Sequence, residues 1–234
     1  MEIIYIGHSG FLVKTAGCAY LFDYCKGELP SLPPDLPVIV FCSHGHADHF
    51  QPGIFSLLKE AGSKTVFAVL AKDIPIKKYP REVETLRVYA NHTYSLPQGG
   101  KLETLLSTDS GVAFILTTEK GVIYHAGDLN DWGWKEESPA TNRRMRGNYR
   151  HEIQKLRGRH INAAFLPLDP RQEEYYAAGI TYFLEQVHPD AVFPMHYWDK
   201  PWIIQNFLQE YPQYQDIIKN TEDYRIDPAP EPFR

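Results

Sequence analysis

Three histidines and an aspartate crowd one short stretch, Ser43-His44-Gly45-His46-Ala47-Asp48-His49-Phe50. Imidazole nitrogen and carboxylate oxygen are the donors that borderline divalent ions such as zinc accept, at about 2.0–2.2 Å. In an extended loop His44 and His46 point to the same side and share one ion. Asp48 and His49, being adjacent, turn toward a second ion a few ångströms away. A lone His-x-His is more often an ordinary polar loop. Four donors within the six positions His44–His49, set against a buried strand, are read as a metal site.

That strand is Val38-Ile39-Val40-Phe41-Cys42, an unbroken apolar run of the kind buried on both faces of a sheet. Pro52-Gly53 closes the loop, and Ile54, Leu57 and Leu58 begin a helical spacing through Ala61. The donors therefore sit where a buried strand ends, the place at which open α/β sheets hold ligands. Before it, Ile3–Ile6, Phe11–Lys14 and Ala19–Phe22 are predicted strands punctuated by Gly7, Gly10 and Gly17, an antiparallel meander. After it come predicted strands at Thr65–Leu70, Arg87–Ala90, Lys101–Leu106, Val112–Thr117 and Val122–Tyr124. Leu129–Arg150, with Trp132, Trp134 and four arginines, reads as an inserted loop over the site, and Ile153 and Leu156 suit a helix. A strand at Ala163–Leu166, a helix at Glu173–Val187, a strand at Ala191–Phe193 and a helix at Trp202–Leu208 follow. Strands first, then alternating strands and helices, in two rough halves, predict a sheet core clad by helices. The whole of 1–234 reads as one domain with an inserted loop or helix at about 129–160, ending in a proline-rich tail at Asp227–Pro232.

Composition excludes several classes. A net charge of -5 argues against a general nucleic-acid or anionic-membrane partner. No apolar run approaches the roughly 18 residues of a membrane span. Glu2 leads into a strand with no basic segment before it, so no export signal is expected. Cys18, Cys25 and Cys42 form no CxxC and leave an odd one over, which fits reduced thiols in the cytoplasm.

His44-x-His46-x-Asp48-His49 after an apolar strand resembles the signature of the metallo-β-lactamase-fold metal-dependent hydrolases. The opening Ile4-Tyr5-Ile6-Gly7-His8-Ser9-Gly10-Phe11 resembles the branch that includes L-ascorbate-6-phosphate lactonase. Ala126-Gly127-Asp128 and Phe193-Pro194-Met195-His196 extend the likeness to about residue 198. The resemblance implies a mixed α/β fold, a four-layer αβ/βα sandwich, with one or two metal ions between the sheets. It also raises Asp128 and His196 to ligands: alone, Gly-Asp is a common turn and one strand-end histidine says little. The family pattern usually supplies a further histidine between the His44 loop and Asp128. The aligned stretch here, Leu106-Ser107-Thr108-Asp109-Ser110-Gly111-Val112, has none. Asp109 either replaces it, favouring a harder ion such as manganese or iron, or caps a turn before the Val112 strand. His8, His92 and His125 read as satisfied structural histidines, with His8 the best placed to support a ligand from behind.

The function expected is hydrolysis by a hydroxide held between two divalent ions, zinc first with Mn2+ or Fe2+ as alternatives. Asp48 and Asp128 hold the cations and orient the nucleophile, and His8 is a candidate proton donor. The substrate expected is a small anionic ester, a phosphorylated lactone or a phosphodiester. Arg171, Arg143 and Arg144 are candidate anion contacts, because guanidinium forks grip phosphate; Trp132 and Tyr197 are candidate pocket walls. The alternatives are a nuclease, which the acidic charge disfavours, a di-iron redox protein, for which no flavodoxin-like segment is present, and a partly disabled metal-binding protein. Membrane partners are not expected, and assembly into a homo-oligomer is left open.

Overall fold

The computed structural model describes residues 1–225; the proline-rich stretch Asp227–Pro232 lies outside them. Two six-stranded sheets form the centre. The first runs β1 (Glu2–Gly7), β2 (Gly10–Lys14), β3 (Ala19–Phe22), β4 (Val38–Cys42), β5 (Val66–Ala71) and β6 (Glu84–Val88), adjacent in that order. The second contains β7 (Thr93–Ser95), β8 (Lys101–Leu106), β9 (Val112–Thr118), β10 (Gly121–His125), β11 (Ala163–Pro167) and β12 (Val192–Met195), again as sequence neighbours. β1, β2 and β3 are the expected antiparallel meander, and β3 through β6 are mutually parallel. In the second sheet β7 to β10 are antiparallel, and β10, β11 and β12 are parallel.

Alternation along the strands sets the layers. In β4, Val38, Val40 and Cys42 pack outward against Ile54, Phe55 and Leu58 of α1 (Ile54–Glu60). Ile39 and Phe41 point inward to the other sheet. There Phe11 meets Phe165 at 4.3 Å and Phe41 meets Phe114 at 5.4 Å between ring centroids. Each such ring contributes about 2–3 kcal/mol on burial. On the far side of the second sheet Tyr124 of β10 stacks on Phe183 of α3 (Ala178–Val187). There α2 (Pro139–Gln154) lies against α3, and α4 (Trp202–Glu210) adds Ile203, Ile204 and Phe207 to the same apolar cluster. The layers are thus helix, sheet, sheet, helix.

Three segments differ from expectation. α2 occupies most of what reads as an inserted loop. Ser138 accepts the Thr141 N–H and Pro139 takes the first turn, a strong start signal on a helix whose arginine-rich face carries no broad apolar stripe. The predicted helix at Glu173–Val187 is broken: a 3-10 helix spans Pro170–Tyr175 with Glu173 at φ 50°, and α3 begins only at Ala178. β6 ends at Val88 rather than Ala90, and the short edge strand β7 carries no sequence signal. Among the described residues no helix is long and apolar enough to cross a membrane.

Candidate metal centre

Six strands of the two sheets run out at one place: β1 into His8, β3 into Asp23, β4 into Ser43–His49, β10 into Asp128, β11 into Asp169 and β12 into His196. The β8–β9 turn adds Asp109. Two glycines let these turns close on β4. A Cβ at Gly111 (φ 68°) would lie 1.9 Å from the Ser43 carbonyl oxygen, and one at Gly127 (φ 51°) would lie 2.7 Å from Ser43 Cβ.

Asp23 and Ser43, both fully buried, organise the histidine loop. Asp23 accepts the Ser43 N–H at 2.7 Å, the Ser43 hydroxyl at 2.6 Å and His49 Nδ1–H at 2.7 Å. Because the Ser43 proton goes to Asp23, Ser43 Oγ accepts from His44 Nδ1 at 3.0 Å. Both histidines therefore turn Nε2 away from their second partners and into the site. His44 Nε2 lies 3.1 Å from His46 Nδ1 and 3.3 Å from Asp128 Oδ2. His49 Nε2 lies 3.1 Å from Asp128 Oδ1, and His196 Nε2 lies 3.5 Å from the same oxygen. His196 is held from behind, donating Nδ1–H to the buried Asp169 at 3.0 Å. Asp48 Oδ2 faces His8 Nε2 at 3.4 Å.

Donor atoms of His44, His49 and Asp128 lie within 4.8 Å of one another, as do those of His46, Asp109 and Asp128, of His44, His46 and Asp48, and of His8, Asp48, His49 and His196. Asp128 stands between the groups. Electrostatics follow from burial and neighbours. Burial pushes the His44 ring down to about 4. Burial also opposes charge on His49, yet Asp128 and Asp23 on its two sides outweigh it and raise it to about 10. Burial raises Asp128, but His49, His196 and His44 hold its carboxyl well below the usual range. The His8 ring does the same for Asp48. Asp109, by contrast, is raised by burial and by Asp128.

A divalent cation fits this donor set. His49 Nε2, Asp128 Oδ1 and His8 Nε2 are buried and have no hydrogen-bond partner among the described residues. Leaving such atoms unsatisfied costs roughly 1–3 kcal/mol each, more when charged. Four residues at the site, His8, Asp23, His196 and Trp198, adopt left-handed backbone at φ 40° to 62°, strain of the sort that clusters at functional centres.

A cavity of about 310 Å³ opens over the cluster, with Asp109, Asp128 and His196 on its floor. Of the residues expected to meet substrate, Arg171 and Trp132 line it. Arg143 and Arg144 do not; they are exposed on α2, whose Met145 faces the cavity one step further round the turn. Tyr197 does not line it either, being fully buried with its hydroxyl on Glu222 at 2.8 Å. Of the three histidines expected to be structural, His125 donates Nε2–H to the Ser9 carbonyl and accepts the Gly127 N–H, and His92 sits on the Ala90 carbonyl, whereas His8 faces the site with its Nε2 buried and unpartnered among the described residues. Sequence reasoning missed Asp23, Ser43 and Asp169. The signal for both aspartates is an acid at the end of an entirely buried run, after Ala19–Phe22 and after Ala163–Leu168.

Residues 2–138 match the family model described as a beta-lactamase superfamily domain. A UPF0173 metal-dependent hydrolase of Pyrobaculum neutrophilum is 28% identical over 98% of each chain, and one of Opitutus terrae is 27% identical over 87% of each. In structure the chain resembles Igni18, a metallo hydrolase of the hyperthermophilic archaeon Ignicoccus hospitalis, with a TM-score of 0.65 at 17% identity over 93% of both chains.

Proposed function

Because this chain belongs to the beta-lactamase superfamily, we propose that it is a metal-dependent hydrolase of a small anionic ester, a phosphorylated lactone or a phosphodiester. The observation that carries this reading is the convergence of His and Asp donor atoms at one place, three of them (His8 Nε2, His49 Nε2 and Asp128 Oδ1) buried and without a hydrogen-bond partner among the described residues. Relatives named metal-dependent hydrolase support the metal-dependent hydrolase part of this reading; the ester is read from the cavity and Arg171. His44, His46, Asp109 and Asp128 would hold one ion; Asp128, His49, His196 and Asp48 would hold a second. Zinc suits the imidazoles, and Asp109 in place of a histidine leans the first site toward manganese or iron. Such ions, when bound, lower the pKa of water toward about 7 and polarise a carbonyl or phosphoryl oxygen.

The rest falls to the chain's own groups. Asp23 and Asp169 fix the rings of His49 and His196, so that the donors are in place before substrate arrives. Asp48 and Asp128 orient the attacking water. His8, beside Asp48, is placed to hand a proton to the departing oxygen. Trp132, Trp134 and Trp198 wall the cavity from bulk water. The Arg171 guanidinium lies 4.4 Å from the Trp198 ring centroid and is braced by Asp169 through Nε and Nη2. Its Nη1 donors have no protein partner among the described residues and are available to an anion. A cavity of 310 Å³ suits a small molecule better than a polymer, which sets nuclease activity second. The Ile4–Phe11 opening favours the L-ascorbate-6-phosphate lactonase branch within the superfamily. The free cysteines Cys18, Cys25 and Cys42 accord with a cytoplasmic setting.

The test is a panel of phosphodiesters, lactones and thioesters offered to zinc- and manganese-loaded protein, with Asp48→Ala as control. Metal-dependent turnover of one class, lost by about 100-fold or more in the control, is the expected result. No metal-dependent turnover of any class overturns the proposal.

A further inference from the structure

Three imidazoles of the metal centre are each fixed from behind: His44 by Ser43, His49 by Asp23 and His196 by Asp169. His46 has no such partner among the described residues. Its one side-chain neighbour within hydrogen-bond distance is His44, whose Nε2 lies 3.1 Å from His46 Nδ1 inside the site. His46 is also exposed and lines the cavity over the cluster. An exposed ring is free to change rotamer unless the backbone beneath it is held.

That backbone is held on two sides. The His46 carbonyl accepts the His49 and Phe50 N–H groups at 3.1 and 2.9 Å, which closes the loop from within. The peptide between His44 and His46 is gripped from outside by a residue 28 positions further along the chain: Asp73 Oδ2 accepts the Gly45 N–H at 2.9 Å. Asp73 stands in the turn after β5, and this turn is itself anchored. The Lys72 N–H donates to the Val88 carbonyl at 2.9 Å, and Arg87 Nη2 donates to the Lys72 carbonyl at 2.6 Å. Ile74 is fully buried in the apolar cluster that holds Ile54 and Leu58 of α1, and a Cβ on Gly45 would lie 3.6 Å from its Cα. The Asp73 carboxylate is exposed, and Gly45 is its one protein partner among the described residues. A carboxylate accepts an N–H more strongly than a neutral oxygen does.

We infer that Asp73 is a positioning residue for the first ion: it fixes the Gly45 peptide and, through it, the direction of the His46 ring. This rests on the reading in which His44, His46, Asp109 and Asp128 hold that ion. The imidazoles of the second ion have supports of their own in Asp23 and Asp169, so the effect of Asp73 is confined to the first.

Cobalt(II) is the probe, titrated into metal-free protein without substrate and followed by calorimetry and visible absorption. Asp73→Ala should weaken one of the two binding events about tenfold and leave the other unchanged. Asp73→Asn keeps an acceptor oxygen without the charge and should recover most of the lost affinity. In the His46→Ala protein, adding Asp73→Ala should weaken cobalt binding no further, because the ring it positions is gone. The melting temperature of the metal-free protein should be the same with and without Asp73→Ala. Unchanged cobalt binding in Asp73→Ala overturns the proposal. So does an equal loss in the His46→Ala background, or a loss that comes with a lower metal-free melting temperature. None of these three results touches the hydrolase reading. Parent protein that binds two ions and turns over no ester overturns the hydrolase reading and leaves the role of Asp73 standing, whereas parent protein that binds no cobalt overturns both.

Discussion

At Asp23 one carboxylate sets the position of Ser43 and His49 together. Asp23→Asn keeps the shape and removes the charge behind His49, so ion affinity should fall about 10–100-fold, read by competition with a chelator. Asp109 is tested by stoichiometry. Asp109→Ala should reduce bound metal by one ion per chain, whereas unchanged metal content would make Asp109 a turn residue only. Asp109→His should move preference from manganese toward zinc. His49 gives a proton count. Metal-free, it stays charged up to a pH of about 10, so at neutral pH an ion entering the site displaces about one proton per chain. Affinity should therefore rise with pH through neutrality and fall as pH drops, measurable by calorimetry in buffers of different ionisation enthalpy. The four donors of the His44 loop are legible because they are neighbours in sequence. Asp23 and Asp169 are not, because each lies far along the chain from the imidazole it holds.

The elements matter here mainly through how they end. Gly127→Ala forces a side chain into left-handed backbone at about 1–3 kcal/mol and against Ser43 as well. A denaturant melt should register at least that loss, with metal affinity falling alongside it. Buried strands such as Val38–Cys42 are readable from sequence because every side chain is apolar, whichever face it serves. Arg143 and Arg144 are misplaced by the same reasoning, since a cluster of arginines has no direction until the helix phase is known. Once α2 begins at Pro139, the turn sends Met145 inward and both arginines to solvent. Glu173 breaks a helix that composition favours, and its left-handed backbone has no local sequence cause.

Across the whole molecule, the centre draws ligands from both sheets, so an ion ties the two together. At an ion concentration about 100 times its dissociation constant this linkage contributes about 2.7 kcal/mol. Stripping the metal should then lower the melting temperature by about 5–10 °C, and restoring zinc should recover it. The sandwich is legible in outline from the order of strands and helices. The meeting of six strand ends is not, because it depends on how two sheets face each other. Asp169 has one further effect. It grips His196 with the same carboxylate that braces Arg171 and receives Trp198 Nε1–H at 3.3 Å. Whatever draws Arg171 toward an incoming anion alters the basicity of an imidazole donor on the other side of that carboxylate. Occupancy of the two places is therefore linked, and whichever guest arrives first must change the hold on the other by one common factor, in either order of addition.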